Sequence, residues 1–180
     1  MHRSIWQRTG IALVFTVLLT GTVPAANAKT NIPAGAVVEV NQATVGQILD
    51  VFHRAETAIA ERNIDGVMAL YATGYNYHGL HQADVRKIWL DLFEEYRDIT
   101  EVHFFSKITT VGSGSNAIIE VTCTGSLSGR SKTSGLRVPI DSWYEEVHYL
   151  TLEQGSWRIR GNVGDSPKVL PFGTSPHPLF

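Results

Sequence analysis

Apolar residues recur at helical spacing in two stretches of the chain. Val45, Ile48, Leu49, Phe52, Ala55 and Ile59 form one buried stripe and predict a first long helix, opened by the capping-box pair Thr44 and Gln47. Asn63, which tolerates a left-handed backbone, is placed to stop it. Val67, Met68 and Leu70 predict a short second helix, capped by Asp65 and ended by Gly74, and Tyr75 to His78 a short strand. Val85, Ile88, Trp89, Leu92 and Tyr96 lie on one face of a third helix, with Asp84 near its positive end. Beyond it the pattern turns to alternation. Strands are predicted over 102–111, 116–124, 138–152 and 157–160, with turns at Gly112 to Ser115 and Glu153 to Gly155.

The segments between and around these elements read as irregular. Residues 125–135 are rich in Gly and Ser and predict a mobile loop. Residues 29–41, with Pro33 and Gly35, read as a leader without structure, and residues 163–180 as a Pro-rich tail. The order of helix, helix, strand, helix and four antiparallel strands predicts an α+β domain over residues 42–162. Its helices pack on one face of a curved sheet.

Residues 1–28 have the pattern of an export signal. Arg3 and Arg8 precede an apolar run from Ile11 to Leu19, and Ala26-Asn27-Ala28 offers small residues for cleavage. Gly21 and Pro24 end the run before it could span a bilayer. The expected mature chain starts near Lys29, is periplasmic or secreted, and has no stable membrane insertion after cleavage. A formal net charge of −2 argues against a nucleic-acid partner, which requires a basic face. Cys123 is the single cysteine, so no internal disulfide can form; its alternation with Ala117, Ile119 and Val121 places it in a buried strand face.

The element order, the Leu70-Tyr71 pair before the first strand and the run Gly155-Ser156-Trp157-Arg158-Ile159 together resemble the nuclear transport factor 2-like superfamily. That superfamily includes the SnoaL-like cyclases and the ketosteroid isomerases. The resemblance implies a cone-shaped antiparallel sheet curled round three helices, with a pocket at its open end. It further implies a homodimer formed through the outer sheet face. His78 falls where the isomerases carry their general-base Asp. The position of their oxyanion-stabilising Tyr, on the first helix, falls on Thr57, and a second donor is expected near Tyr144 to Glu146.

The chain lacks a nucleophile elbow, a phosphate loop, a dinucleotide fingerprint and a zinc-protease motif. His78, His81, His103 and His148 are scattered without ligand spacing, so neither metal nor cofactor is expected. Candidate chemistry rests on His78, Glu146 and His148. Imidazole titrates near neutrality, and a carboxylate beside it fixes its tautomer. Strand alternation puts Glu146 and His148 on one face and Glu145 on the other. Tyr71, Tyr77, Trp89, Phe104, His103 and Tyr144 are the expected wall of a ligand site.

Two functions follow. In one, an exported pocket domain binds a small, partly apolar molecule or supports a partner without turnover. In the other, a cofactor-independent isomerase, dehydratase or cyclase uses His78 as general base. A threonine at the oxyanion position favours the first.

Overall fold

The computed structural model describes residues 29–77, 79–114 and 117–161. It opens with two short strands, β1 (Lys29–Asn31) and β2 (Val37–Val38), then α1 (Gln42–Ala60) and α2 (Ile64–Met68). A small hairpin, β3 (Asn76–Tyr77) with β4 (Leu80–His81), leads into α3 (Gln82–Glu95). Four strands complete the domain: β5 (Tyr96–Val111), β6 (Ile118–Ser131), β7 (Arg137–Glu153) and β8 (Ser156–Ile159). Their order in the sheet is β1-β5-β6-β7-β8, with β2 also on β5. Strands β5 to β8 pair antiparallel with their neighbours, whereas β1 and β2 run parallel to β5. Among the described residues no helix is long and apolar enough to cross a membrane.

The core lies between the helices and one face of this sheet. Ile48, Phe52 and Ile59 of α1 and Val85 and Trp89 of α3 meet Phe105, Ile108, Val121, Leu127 and Leu150, all buried. Phe52 and Phe105 pack edge to face with ring centroids 5.0 Å apart, the favoured aromatic geometry.

Three local readings of the sequence need correction. Residues 29–40 are not structureless, because β1 and β2 extend the open edge of β5. The caps also shift. Asn41 caps α1 by accepting from Thr44 N at 2.8 Å, and Asn63 caps α2 by accepting from Gly66 N at 3.1 Å. Arg62, at φ +59°, takes the left-handed break expected of Asn63. Asp65, released from capping, pairs with Arg86 at 2.8 Å.

The third correction concerns residues 125–131, which continue β6 instead of looping out. Their glycines permit close approach. A Cβ on Gly125 would run into the carbonyl oxygen of Val102 and the Trp143 ring, and one on Gly129 would press on Tyr96. Gly content signals tight packing at this point.

Candidate functional site: a buried polar cluster on the concave face

Alternation along β5 sends Ile99, Glu101, His103 and Phe105 beneath the helices. Glu101 is 1% exposed and His103 0%. On β7 the concave face carries Trp143, Glu146, His148 and Leu150, although strict alternation would turn Trp143 away from the other three. A β-bulge resolves this. Cys123 of β6 lies opposite Glu146 and Gly125 opposite Trp143, so Thr124 faces two residues, Tyr144 and Glu145. Glu145 takes φ +50° and donates its N–H to Thr124 Oγ1 at 3.0 Å. The extra residue turns Trp143 inward together with Glu146.

Helix and hairpin residues bring aromatic and phenolic groups to the same interior. Tyr77 Oη donates to Glu146 Oε1 at 2.5 Å. Trp89 Nε1 donates to Tyr71 Oη at 2.8 Å, with both side chains buried. Tyr71 packs edge to face on Tyr75, centroids 5.1 Å apart. Burial, more than the neighbouring Tyr75, raises the Tyr71 pKa well above the ordinary phenol value, and burial also raises Tyr75. Both therefore stay neutral phenols, able to donate, across the physiological range.

Glu101 and His103 form the most deeply buried titratable couple among the described residues. Glu101 Oε2 lies 3.5 Å from His103 Nε2. On its other side His103 Nδ1 sits 3.6 Å from Cys123 Sγ, which accepts from Trp143 Nε1 at 3.2 Å. Burial pulls the His103 pKa down, but the Cys123 sulfur and the Glu101 carboxyl outweigh it and lift it to about 9. Burial raises the Glu101 pKa, opposed by His103 and reinforced by the nearby Glu56. Together the couple carries a proton through neutrality.

Glu56, on α1, is treated differently. Its Oε1 accepts from Thr30 N at 2.8 Å and from Thr30 Oγ1 at 2.5 Å, which anchors β1 to the helix. Glu101 has no such donor: among the described residues neither of its oxygens has a hydrogen-bond partner.

Of the residues singled out from sequence, Tyr71, Tyr77, Trp89, His103, Glu146 and His148 meet in this interior; His148 is 2% exposed. Phe104 and Tyr144 do not. They point to the convex face, 42% and 79% exposed, because β5 alternation and the β7 bulge turn them outward. His78 lies outside the described residues. Thr57 faces solvent and gives its hydroxyl to His53 O at 2.9 Å, so α1 supplies no oxyanion donor there. Glu101 is the residue that sequence reasoning missed. The signal for Glu101 was its place between Ile99 and His103 on an otherwise buried strand face.

A groove of about 510 Å³ lies apart from this cluster, on the exposed side of α1 and α2 between His53, Arg54, Thr57 and Asn63. Ala58 is its one buried core residue among those that line it, and the groove shares none of the polar cluster.

Three helices on the concave face of a curved, mainly antiparallel sheet make this a nuclear transport factor 2-like fold. Two solved structures share this arrangement of helices and sheet. A conserved protein from Planctomyces limnophilus superposes with a TM-score of 0.57 at 11% identity, over 67% of this chain and 94% of that one. Aln2 from a Streptomyces species does so with a TM-score of 0.52 at 10% identity, over 68% of this chain and 89% of its own. A ketosteroid isomerase-like protein from Erwinia carotovora atroseptica is 18% identical over 67% of this chain and 94% of its own, with a TM-score of 0.46. No family model and no curated protein matches the chain. At these identities the likeness is one of fold.

Proposed function

We propose that the domain encloses a small, partly apolar molecule between its helices and the concave sheet face and moves a proton on it. The reading is a cofactor-independent acid–base enzyme of the isomerase, dehydratase or cyclase type. One observation carries it: Glu101, His103, Glu146 and His148 share the concave face beneath an aromatic layer. Burying such groups costs several kcal/mol against an apolar core, and sites of chemistry are where that cost persists. The missing donor at Thr57 favours uptake without turnover. The inward phenols of Tyr71 and Tyr75 come from another part of the chain and support the turnover reading as alternative donors.

In this reading a base takes a proton from a carbon next to a carbonyl, a phenol holds the developing oxyanion, and the proton returns elsewhere. The step balances with the proton alone. His78 is assigned as base from its sequence position, with Glu146, held by Tyr77, and His148 as its acid–base partners; Tyr71, Trp89 and His103 wall the ligand. The test is deuterium exchange into a panel of small enolisable ketones, followed by NMR. Glu146→Gln and His78→Ala should each slow exchange by about 10²- to 10⁴-fold. Exchange unchanged in both variants would refute acid–base turnover and leave binding alone.

We also propose that the chain is exported and that a second copy covers the convex face around Phe104 and Tyr144. N-terminal sequencing should begin near Lys29, and light scattering should give a dimer mass at micromolar concentration. An intact Met1 or a monomer would refute the respective claim.

A further inference from the structure

We propose that Glu101 is the binding residue for a hydroxyl group on the molecule held in the interior, so that the ligand class is a hydroxylated, flat apolar compound. This rests on the reading above that the interior takes up a small molecule. The carboxyl group is 1% exposed; Oε2 faces His103 Nε2 at 3.5 Å, and Oε1 has no hydrogen-bond donor among the described residues. Nearly every buried polar group in a folded protein is paired, and one that is not calls for a reason. Pairing with His103 accounts for Oε2 alone, and nothing in the fold offsets the desolvation of Oε1.

The surroundings narrow what the missing partner can be. His103 Nε2 lies 3.5 Å from Oε2 and already opposes the negative charge. What Oε1 lacks is a donor, not a counter-charge. An ammonium group would have to leave water for an aromatic interior, whereas a neutral hydroxyl gives up far less hydration. Phe52 packs on His103 with centroids 5.2 Å apart, and Phe52, Phe105 and Trp89 are buried in the same core. A ligand that entered among these rings would pack best as a ring-bearing alcohol or phenol. A site that accepts a hydrogen bond from a ligand hydroxyl also discriminates strongly against the analogue lacking it.

Calorimetric titration of the whole protein with 2-naphthol, naphthalene and protonated 2-naphthylmethylamine tests this. Wild type should bind 2-naphthol about 10- to 100-fold more tightly than naphthalene, the usual worth of a hydrogen bond to a charged acceptor. Glu101→Leu should bring the two within about threefold, and Glu101→Gln, which keeps an amide acceptor, should fall between. Equal binding of 2-naphthol and naphthalene by wild type would overturn the role of Glu101 while leaving interior binding intact. So would a hydroxyl preference that survives in both variants. Tighter binding of the ammonium probe would overturn the ligand class. If none of the three probes binds, interior uptake itself fails and this inference falls with it.

Discussion

Glu56 and Glu101 are both carboxyl groups buried near α1 and β5, 8% and 1% exposed, and close enough that Glu56 raises the Glu101 pKa. Glu56 is met by two donors of Thr30 and ties β1 to the helix. Glu101 is met by none among the described residues, apart from the imidazole of His103 at 3.5 Å. Burial alone therefore does not mark a functional acid. What separates the two is whether the protein itself satisfies the group. A satisfied carboxylate is part of the fold, and an orphaned one has been kept for something else.

Removing the satisfied member should have the largest effect. Glu56→Leu leaves the N–H and the hydroxyl of Thr30 without their acceptor, and we expect a loss of about 3 kcal/mol in urea denaturation. A loss below about 1 kcal/mol would erase the distinction drawn between the two acids.

The pH dependence of stability sharpens the comparison from the other side. His103 titrates at 6.5 when unfolded and at about 9 when folded, so the native state holds the extra proton between those values. The resulting stabilisation is fully present below pH 6.5 and fades as pH rises through 9. The change is about 3 kcal/mol, from a shift of about 2.5 units at about 1.36 kcal/mol per pKa unit. The raised Glu101 pKa acts in the same direction from 4.5 upward. Denaturation midpoints measured from about pH 6 to about 9.5 should therefore fall in wild type and run flatter in His103→Gln. Parallel profiles would mean that the couple does not hold a proton of its own.

Glu145 serves as an exposed control, a carboxylate that matters through its backbone. Its φ of +50° is costly for any side chain bearing a Cβ. Glu145→Gly should stabilise the protein by about 0.5–1 kcal/mol without disturbing Glu146. Destabilisation would indicate that the carboxylate itself has a partner role.

Much of this architecture is legible in the sequence. The apolar stripes of α1 and α3 and the alternation of β5 to β8 follow from the helix and strand periods, and they are strong because each faces one core. Three features are not legible, for separate reasons. The strands at residues 29–31 and 37–38 have no pattern of their own, since they borrow order from the edge of β5. The bulge at Tyr144–Glu145 breaks the strand period, so alternation counted from His148 puts Trp143 on the wrong face. Gly125 and Gly129 look like loop residues because composition cannot separate flexibility from close approach. The candidate site is half visible. Glu146, His148 and His103 stand out by residue type, but only the fold shows Glu101 without a donor.

Thermal denaturation of Glu101→Leu, with and without saturating 2-naphthol, tests the central contrast most directly. At a pH above the His103 titration at about 9, the account predicts a midpoint at or above that of wild type in the free protein, because a buried carboxylate without its cation is replaced by an apolar side chain. It also predicts that the ligand-induced rise seen in wild type is largely lost. A midpoint that drops as far as that of Glu56→Leu, with the ligand-induced rise intact, would make Glu101 a structural acid and contradict the account.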